Sequence, residues 1–324
     1  MRYFGFSTGA VAKDDVAKAT RILRDTTASA VEVSALRLHE LTNAARYVLD
    51  VPIDRFSYVS FHAPSSFAPS EEKQVLAQLA AIAERGWPIV VHPDVIFTPA
   101  KWQQLGGLLL IENMDQRKPF GRTAEELSAV FSVLSNASLC FDFGHARQID
   151  PTMTEAFRIV NQHGRRLKQI HLSDVDAESK HHPLNIPAVK AFFRIAPLIE
   201  RNVAIILEAV VSEGQQLADQ LHMAQFLFAA ADAQRYMTAK GTAKKAMVPA
   251  ISADNPEEEV QRLRSTTEQL HSASLDSFER IVLTYAGMTE SAPDENWGFI
   301  STDQQSIPRN LVSECSALNT GSQR

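Results

Sequence analysis

The chain has 324 residues, with hydrophobic residues at 45% and charged residues at 22%. That balance supports a packed core and excludes a wholly disordered chain. With 38 acidic against 32 basic residues the formal net charge is −6, which argues against a broadly basic surface for nucleic acid or anionic membrane.

Short apolar runs recur over the first two thirds of the chain, at 3–6, 30–33, 58–61, 89–91, 108–111, 138–141, 167–172 and 203–207. Most lack strict alternation, as strands covered on both faces do in parallel sheets. The segments between them read as helices at 14–24, 70–85, 123–134, 152–163, 187–200 and 213–236, with room for only two turns at 99–105. Thr123 with Glu126 three positions on makes a capping-box pattern. Eight such strand–helix units predict an α/β protein, a (β/α)8 TIM barrel over residues 1–238. An open doubly wound sheet is the alternative, but no GxGxxG follows the first run to support a dinucleotide-binding version.

After 238 the composition changes. Residues 238–253 read as a linker, and Asn255-Pro256-Glu257-Glu258-Glu259 as a strong helix start. Val260, Leu263, Leu270, Leu275, Phe278, Ile281 and Tyr285 then form an apolar stripe ending near Gly287. This helical extension would pack on the barrel or join two copies in a homo-oligomer. Residues 288–324 show no periodicity and are expected to be a disordered tail. Cys140 and Cys315 make no disulfide framework, the start MRYFGFSTGA lacks a signal-peptide run, and no stretch resembles a membrane span. A cytoplasmic setting without membrane partners is expected.

The informative pattern is where the ionisable residues fall. Glu32 lies in the second apolar run; His62, His92, Glu112 and Asp142 end the third to sixth. His145 follows Asp142, His171 lies in the seventh run, and Glu208 ends the eighth. Taken singly, a histidine at a strand end is commonly a hydrogen-bonded core residue, and an acid there a helix cap. Repetition at six consecutive strand ends weighs against that reading. A buried carboxylate or imidazole is costly unless paired or metal-bound, and the C-terminal ends of barrel strands share one mouth. Clustered carboxylates with imidazoles call for a divalent cation.

The ordered set SFHAP, VVHPD, LIENMD, CFDFGH, IHLSD and ILEAV resembles the xylose-isomerase-like TIM-barrel superfamily over roughly residues 1–236. That superfamily includes sugar and sugar-phosphate isomerases and epimerases, with endonuclease IV-type apurinic-site nucleases as a related branch. The resemblance implies Glu112, Asp142, His171 and Glu208 as metal ligands. It matches His62, His92 and His145 to the superfamily's histidines, and His181, with His182 as the fallback, to the histidine of its H-x-P-L-G segment. Two positions depart from the pattern. The third-metal aspartate of the nucleases falls here on Ser179, or on Lys180 in the fallback alignment, and the glycine after H-x-P-L is Asn185.

The leading expectation is an isomerase or epimerase of a sugar, sugar phosphate or polyol-derived ketone. Glu112 and Glu208 would move the proton, while Glu32, His62, His92, His145 and His181 contact the substrate. One divalent metal is implied, Mn²⁺ or Mg²⁺ before Co²⁺ or Zn²⁺, with Zn²⁺ favoured if His62 and His92 also bind. The partner would be a small carbohydrate and not nucleic acid. A zinc-dependent apurinic-site phosphodiesterase is the alternative, and a non-catalytic binding barrel the third reading. Trp102 could reach the mouth, Trp87 reads as packing, and Arg117, Lys118 and Arg122 read as surface charge before phosphate ligands. His163, Arg165 and Arg166 read as a solvated cluster at the barrel bottom.

Overall fold

The computed structural model describes residues 2–50, 53, 55–211 and 214–243, the side chains of 50 and 236–243 excepted. From the N-terminus the chain runs β1 (Phe4–Ser7), α1 (Thr8–Ala12), α2 (Val16–Arg24), β2 (Ala30–Ser34), α3 (Leu38–Asp50) and β3 (Tyr58–His62). It continues through α4 (Glu72–Ala83), β4 (Ile89–Val91), α5 (Pro99–Trp102), β5 (Leu109–Glu112), α6 (Ala124–Val133) and β6 (Ser138–Asp142). Next come α7 (Phe143–Ile149), α8 (Thr154–His163), β7 (Leu167–Leu172), β8 (Asp174–Val175) and β9 (His181–His182). The described part ends with α9 (Ile186–Phe193), β10 (Ala204–Leu207) and α10 (Gln215–Ala243).

Eight of these strands pair in parallel and close into a barrel in the order β1-β10-β7-β6-β5-β4-β3-β2, while β8 and β9 form a separate antiparallel pair. The expected (β/α)8 architecture is the one found, and each expected strand agrees with the observed one to within one residue at either end. Closure brings backbones close: a Cβ on Gly5 of β1 would sit 1.8 Å from the carbonyl oxygen of Ala30 in β2.

Strand parity separates two layers. Val31, Val33, Phe61, Ile89, Val91, Leu109, Ile111, Leu139, Phe141, Ile170, Leu172, Ile205 and Leu207 share one buried cluster with the helices. Residues of the other parity point into the barrel, where Val90, Leu110 and Cys140 form their own cluster. Glu32, Ser60, His62, Glu112, Asp142, Gln169 and His171 share this inward parity and are buried. Apolar outward positions thus hold the helices on, and inward polar ones face each other at the C-terminal end.

Local signals set several helix starts. The Asp15 side chain accepts from Lys18 N at the start of α2, and Thr123 from Glu126 N at the start of α6. The Glu126 carboxylate closes on Arg122 N rather than on Thr123 N, so the capping box is only half realised. Asn185, where the H-x-P-L-G pattern has glycine, is the N-cap of α9 and accepts from Ala188 N.

Several elements differ from the expectations. Helix α3, the short α1 and α7, and the β8–β9 pair were not expected. α10 also runs past 236 through Ala243, into the stretch read as a linker. Ala239, Lys240 and Ala243 favour helix, and the cost of Gly241, about 1 kcal/mol, does not stop it. The expected helix after Asn255 and the tail at 288–324 lie outside the described residues. Among the described residues no helix is long and apolar enough to cross a membrane.

Trp102 does not reach the mouth. It is fully buried among the helices and its Nε1 donates to Glu72 Oε1 at 3.0 Å. The same oxygen accepts from Phe97 N and Thr98 N, so Glu72 fixes the loop after His92. His163 is not solvated as expected. It is buried, with Nε2 3.1 Å from Ala124 O and 3.2 Å from Ser128 Oγ. Trp87 packs, partly buried, under the guanidinium of Arg85.

Candidate metal centre

His62, His92, Glu112, His145, His181 and Glu208 line one cavity of about 620 Å³, and Asp142 and His171 are fully buried next to them without lining it. Glu112, at the end of β5, is its centre. Its Oε2 lies 3.1 Å from His62 Nε2 and 3.3 Å from His92 Nε2. Its Oε1 lies 3.2 Å from His171 Nδ1 and 3.4 Å from His145 Nδ1. Glu208 Oε2 approaches the same His171 Nδ1 at 3.3 Å and His181 Nδ1 at 3.6 Å.

Around Glu112 the ligand atoms of Glu112, Asp142, His171 and Glu208 lie within 4.8 Å of one another. Three further groups meet the same limit, His62–His92–Glu112, His62–His171–Glu208 and Asp142–His145–His181. His62, Glu112, Asp142, His171 and Glu208 each belong to two groups, so the groups form one continuous cluster. A divalent cation fits this donor set on more than proximity: Asp142 Oδ2, His92 Nδ1 and His145 Nε2 are buried without a hydrogen-bond partner. A buried carboxylate oxygen left bare is costly, and a cation would satisfy it.

Backbone anchors aim these side chains. His62 Nδ1 donates to Ala63 O at 2.7 Å, which turns Nε2 toward Glu112. Asp142 is the N-cap of α7, its Oδ1 accepting from His145 N at 2.6 Å, so Oδ2 faces the cluster. Asn113 clamps β5 to β6: Asp142 N donates to its Oδ1 at 2.7 Å and its Nδ2 donates to Asp142 O at 2.9 Å. Gly144 lets the β8–β9 pair settle on α7, since a Cβ there would lie 2.4 Å from Val175 Cγ2 and 2.8 Å from Ser173 O. That pair carries His181 into the cluster, where Ser173 Oγ holds its Nδ1 at 2.8 Å. His182, the fallback, is half exposed and bonded to Asp176 Oδ2 at 2.7 Å. Ser179 is buried against Gln148 and brings no carboxylate to the third group.

Glu32 departs from the expected substrate contact. It is fully buried and does not line the cavity. In register it pairs with Ser60, two residues below His62, so it sits one inward layer too deep. Its Oε2 lies 3.1 Å from His171 Nε2 and accepts from Gln169 Nε2 at 2.6 Å. Tyr58 OH in turn donates to Gln169 Oε1 at 2.8 Å. A hydrogen on Nε2 facing Glu32 leaves His171 Nδ1 bare toward the ligand group.

Metal-free, the cluster holds its protons unusually. Burial opposes charge on His62, but the hydrogen bond to Glu112 and the charges of Glu32 and Glu112 outweigh it and raise the pKa to about 9. His171 is raised well above its ordinary value in the same way, the surrounding carboxylates overcoming burial. Burial, with Glu112 and Glu32 nearby, pushes Glu208 up to about 8 against the pull of His171. Burial and the charge of His145 press His181 down to about 3.

Asn113, Asp115 and Gln169 are the residues the sequence reading missed. Asp115 is buried, is bonded to Arg117 at 2.8 Å and lines the cavity. Asn113 and Asp115 sit in LIENMD beside Glu112, and Gln169 shares the inward parity of His171, so parity was the available signal. Of the basic residues after β5, Arg117 lines the cavity, Lys118 is paired with Asp94 and Arg122 with Glu126.

A closed eight-strand parallel barrel with this acid and histidine set at its C-terminal end is now in view. The architecture is the (β/α)8 barrel that the sequence resemblance implied. No family model and no curated protein matches the sequence. Among solved structures the chain is similar to endonuclease IV from Thermus thermophilus, at 19% identity and a TM-score of 0.48, over 69% of this chain and 98% of that one. It is similar to SacUVDE at 12% identity and a TM-score of 0.41, over 69% and 99%. A fusion of a xylose isomerase-like TIM barrel with 4-hydroxyphenylpyruvate dioxygenase is similar at 10% identity and a TM-score of 0.45, over 77% of this chain and 46% of that one. The chemistry of the site is carried by this chain's own residues.

Proposed function

We propose that the chain is a divalent-metal-dependent phosphoesterase whose centre holds more than one cation. The observation that carries this reading is the division of Glu112, with Oε2 toward His62 and His92 and Oε1 toward His171 and His145. A carboxylate split this way joins two ligand groups into one centre. Paired cations there would supply charge neutralisation for the entering and leaving oxygens of an in-line displacement at phosphorus. Lys180 lines the same cavity and adds positive charge that draws an anionic ester, and Arg117, paired with Asp115, presents guanidinium N–H groups beside it. His181, kept neutral by burial, meets substrate or cation as an uncharged imidazole. The imidazoles of the outer groups suit Zn²⁺, and the carboxylate-rich central group also admits Mn²⁺.

Isomerisation or epimerisation of a hydroxy-ketone is the second reading. It is supported by the central group of Glu112, Asp142, His171 and Glu208, a four-ligand set that needs no other residue. Glu112 and Glu208 would then pass the carbon-bound proton.

Metal content separates the two. Purified protein loaded with Zn²⁺ or Mn²⁺ is expected to hold about two or three cations per chain. His92→Ala should remove one cation and slow hydrolysis of bis(4-nitrophenyl) phosphate by roughly a hundredfold. One cation per chain, unchanged in His92→Ala and accompanied by ketose turnover, would overturn the phosphoesterase reading in favour of the second.

A further inference from the structure

The ring of strands divides the cavity into two unlike walls. Strands β3 to β5, the loop after β5, α7 and the β8–β9 segment bring most of its ionisable groups, among them His62, His92, Glu112, Asp115, His145 and His181. The other arc, β10-β1-β2, is contiguous in the barrel. Apart from Glu208 itself, the described residues this arc gives to the cavity are Ser7, Gly9, Ala10, Leu36 and Val210. None of these is charged. Leu36 is 40% exposed and Val210 60%, yet both face the cavity rather than the helical exterior. Gly9 adjoins Leu36 in this wall: a Cβ built on it would lie in ordinary van der Waals contact with Leu36 Cδ1, at 3.5 Å. Apolar surface left in water costs about 25 cal/mol per Å², which is regained when a ligand covers it.

We propose that this arc is a subsite for an apolar substituent of the substrate, aliphatic or aromatic, adjoining the phosphoryl group that the ligand cluster receives. The inference rests on the phosphoesterase reading for the phosphoryl group and on the arc alone for its substituent. A polyhydroxylated sugar would fit the arc poorly, because hydroxyls pressed on Leu36 and Val210 lose their bonds to water without replacement. The two walls together therefore select an amphiphilic ester: charge toward Arg117, Lys180 and the cluster, and an apolar group toward Ala10, Leu36 and Val210.

The test is calorimetric binding of phenylphosphonate and methylphosphonate to the full metal-loaded chain, which requires no turnover. Phenylphosphonate should bind about tenfold more tightly. Leu36→Ser and Val210→Ser, both at exposed positions, should each shrink that ratio by about threefold or more while metal content stays unchanged. Equal affinity for the two phosphonates, or a ratio unmoved in both variants, would overturn the subsite and leave the phosphoesterase reading standing. If neither phosphonate binds the metal-loaded chain, the phosphoesterase reading falls and the subsite with it.

Discussion

Three carboxylates meet one imidazole ring at His171. Glu112 and Glu208 approach its Nδ1 at 3.2 and 3.3 Å, and Glu32 approaches its Nε2 at 3.1 Å. Without metal those acids hold a proton on the ring well above its ordinary pKa, and Glu112 does the same to His62, up to about 9. A cation must displace these protons. Metal binding at about pH 7.5 should therefore release protons, and affinity should climb with pH until it passes about 9. The sign follows from His62 being charged below that value and neutral when ligating. Calorimetry in buffers of different ionisation enthalpy reads the release, and a heat independent of buffer would refute it. Glu32 works from behind the ring. Glu32→Gln should weaken metal binding by about 10- to 100-fold, because an amide holds the Nε2–H less firmly than a carboxylate. Unchanged metal affinity in that variant would mean that packing alone orients His171.

The third ligand group depends on how α7 and the β8–β9 pair dock. Gly144 is the contact point, and a methyl there meets Val175 Cγ2 at 2.4 Å and the Ser173 carbonyl at 2.8 Å. Gly144→Ala should cost about 1–3 kcal/mol, the range for overpacking. It should also shift His181 out of the cluster, lowering metal content while the central group persists. Thermal unfolding and metal analysis check both parts, and an unshifted metal count would show that the pair has room to yield. The barrel strands were legible because each is a short, nearly continuous apolar run and six of them end at or next to an ionisable residue. The β8–β9 pair was not legible, because each of its strands is two residues long, too short for any periodicity. α7 hid for a related reason: it starts directly after β6, at Phe143, and its seven residues are too few to show an apolar stripe. His62, His92, Glu112, Asp142, His171 and Glu208 could be singled out from strand ends, while their division into ligands and substrate contacts, and the choice of His181, came from the resemblance. Glu32 could not be placed correctly from the same signal, since an inward residue two positions before its strand's end lies a layer below the mouth. Its partner Gln169 is uncharged, and only its parity with His171 marked it as inward.

At the scale of the whole molecule, α10 covers the barrel where β10 has paired with β1, packing on β1 and α9. Its Leu217, Leu221, Leu227 and Phe228 are buried, and Gln220 Oε1 accepts from Leu184 N at 2.6 Å. Arg2 ties the other end, bonded to Asp232 at 2.7 Å with its guanidinium 4.7 Å from the Phe228 ring centre. Each large apolar side chain buried this way contributes about 1.5–3 kcal/mol, so four of them rival the net stability of about 5–15 kcal/mol expected for a domain. A chain ended after residue 243 should therefore keep a cooperative thermal transition within about 4 °C of the full chain and bind the same number of cations. A chain ended after 214, without α10, should lose that transition. Calorimetry on both truncations tests the argument from opposite sides. Loss of cooperativity at 243 would assign part of the barrel's stability to residues beyond α10. Retention at 214 would mean that the eight strands and the remaining helices close the barrel unaided.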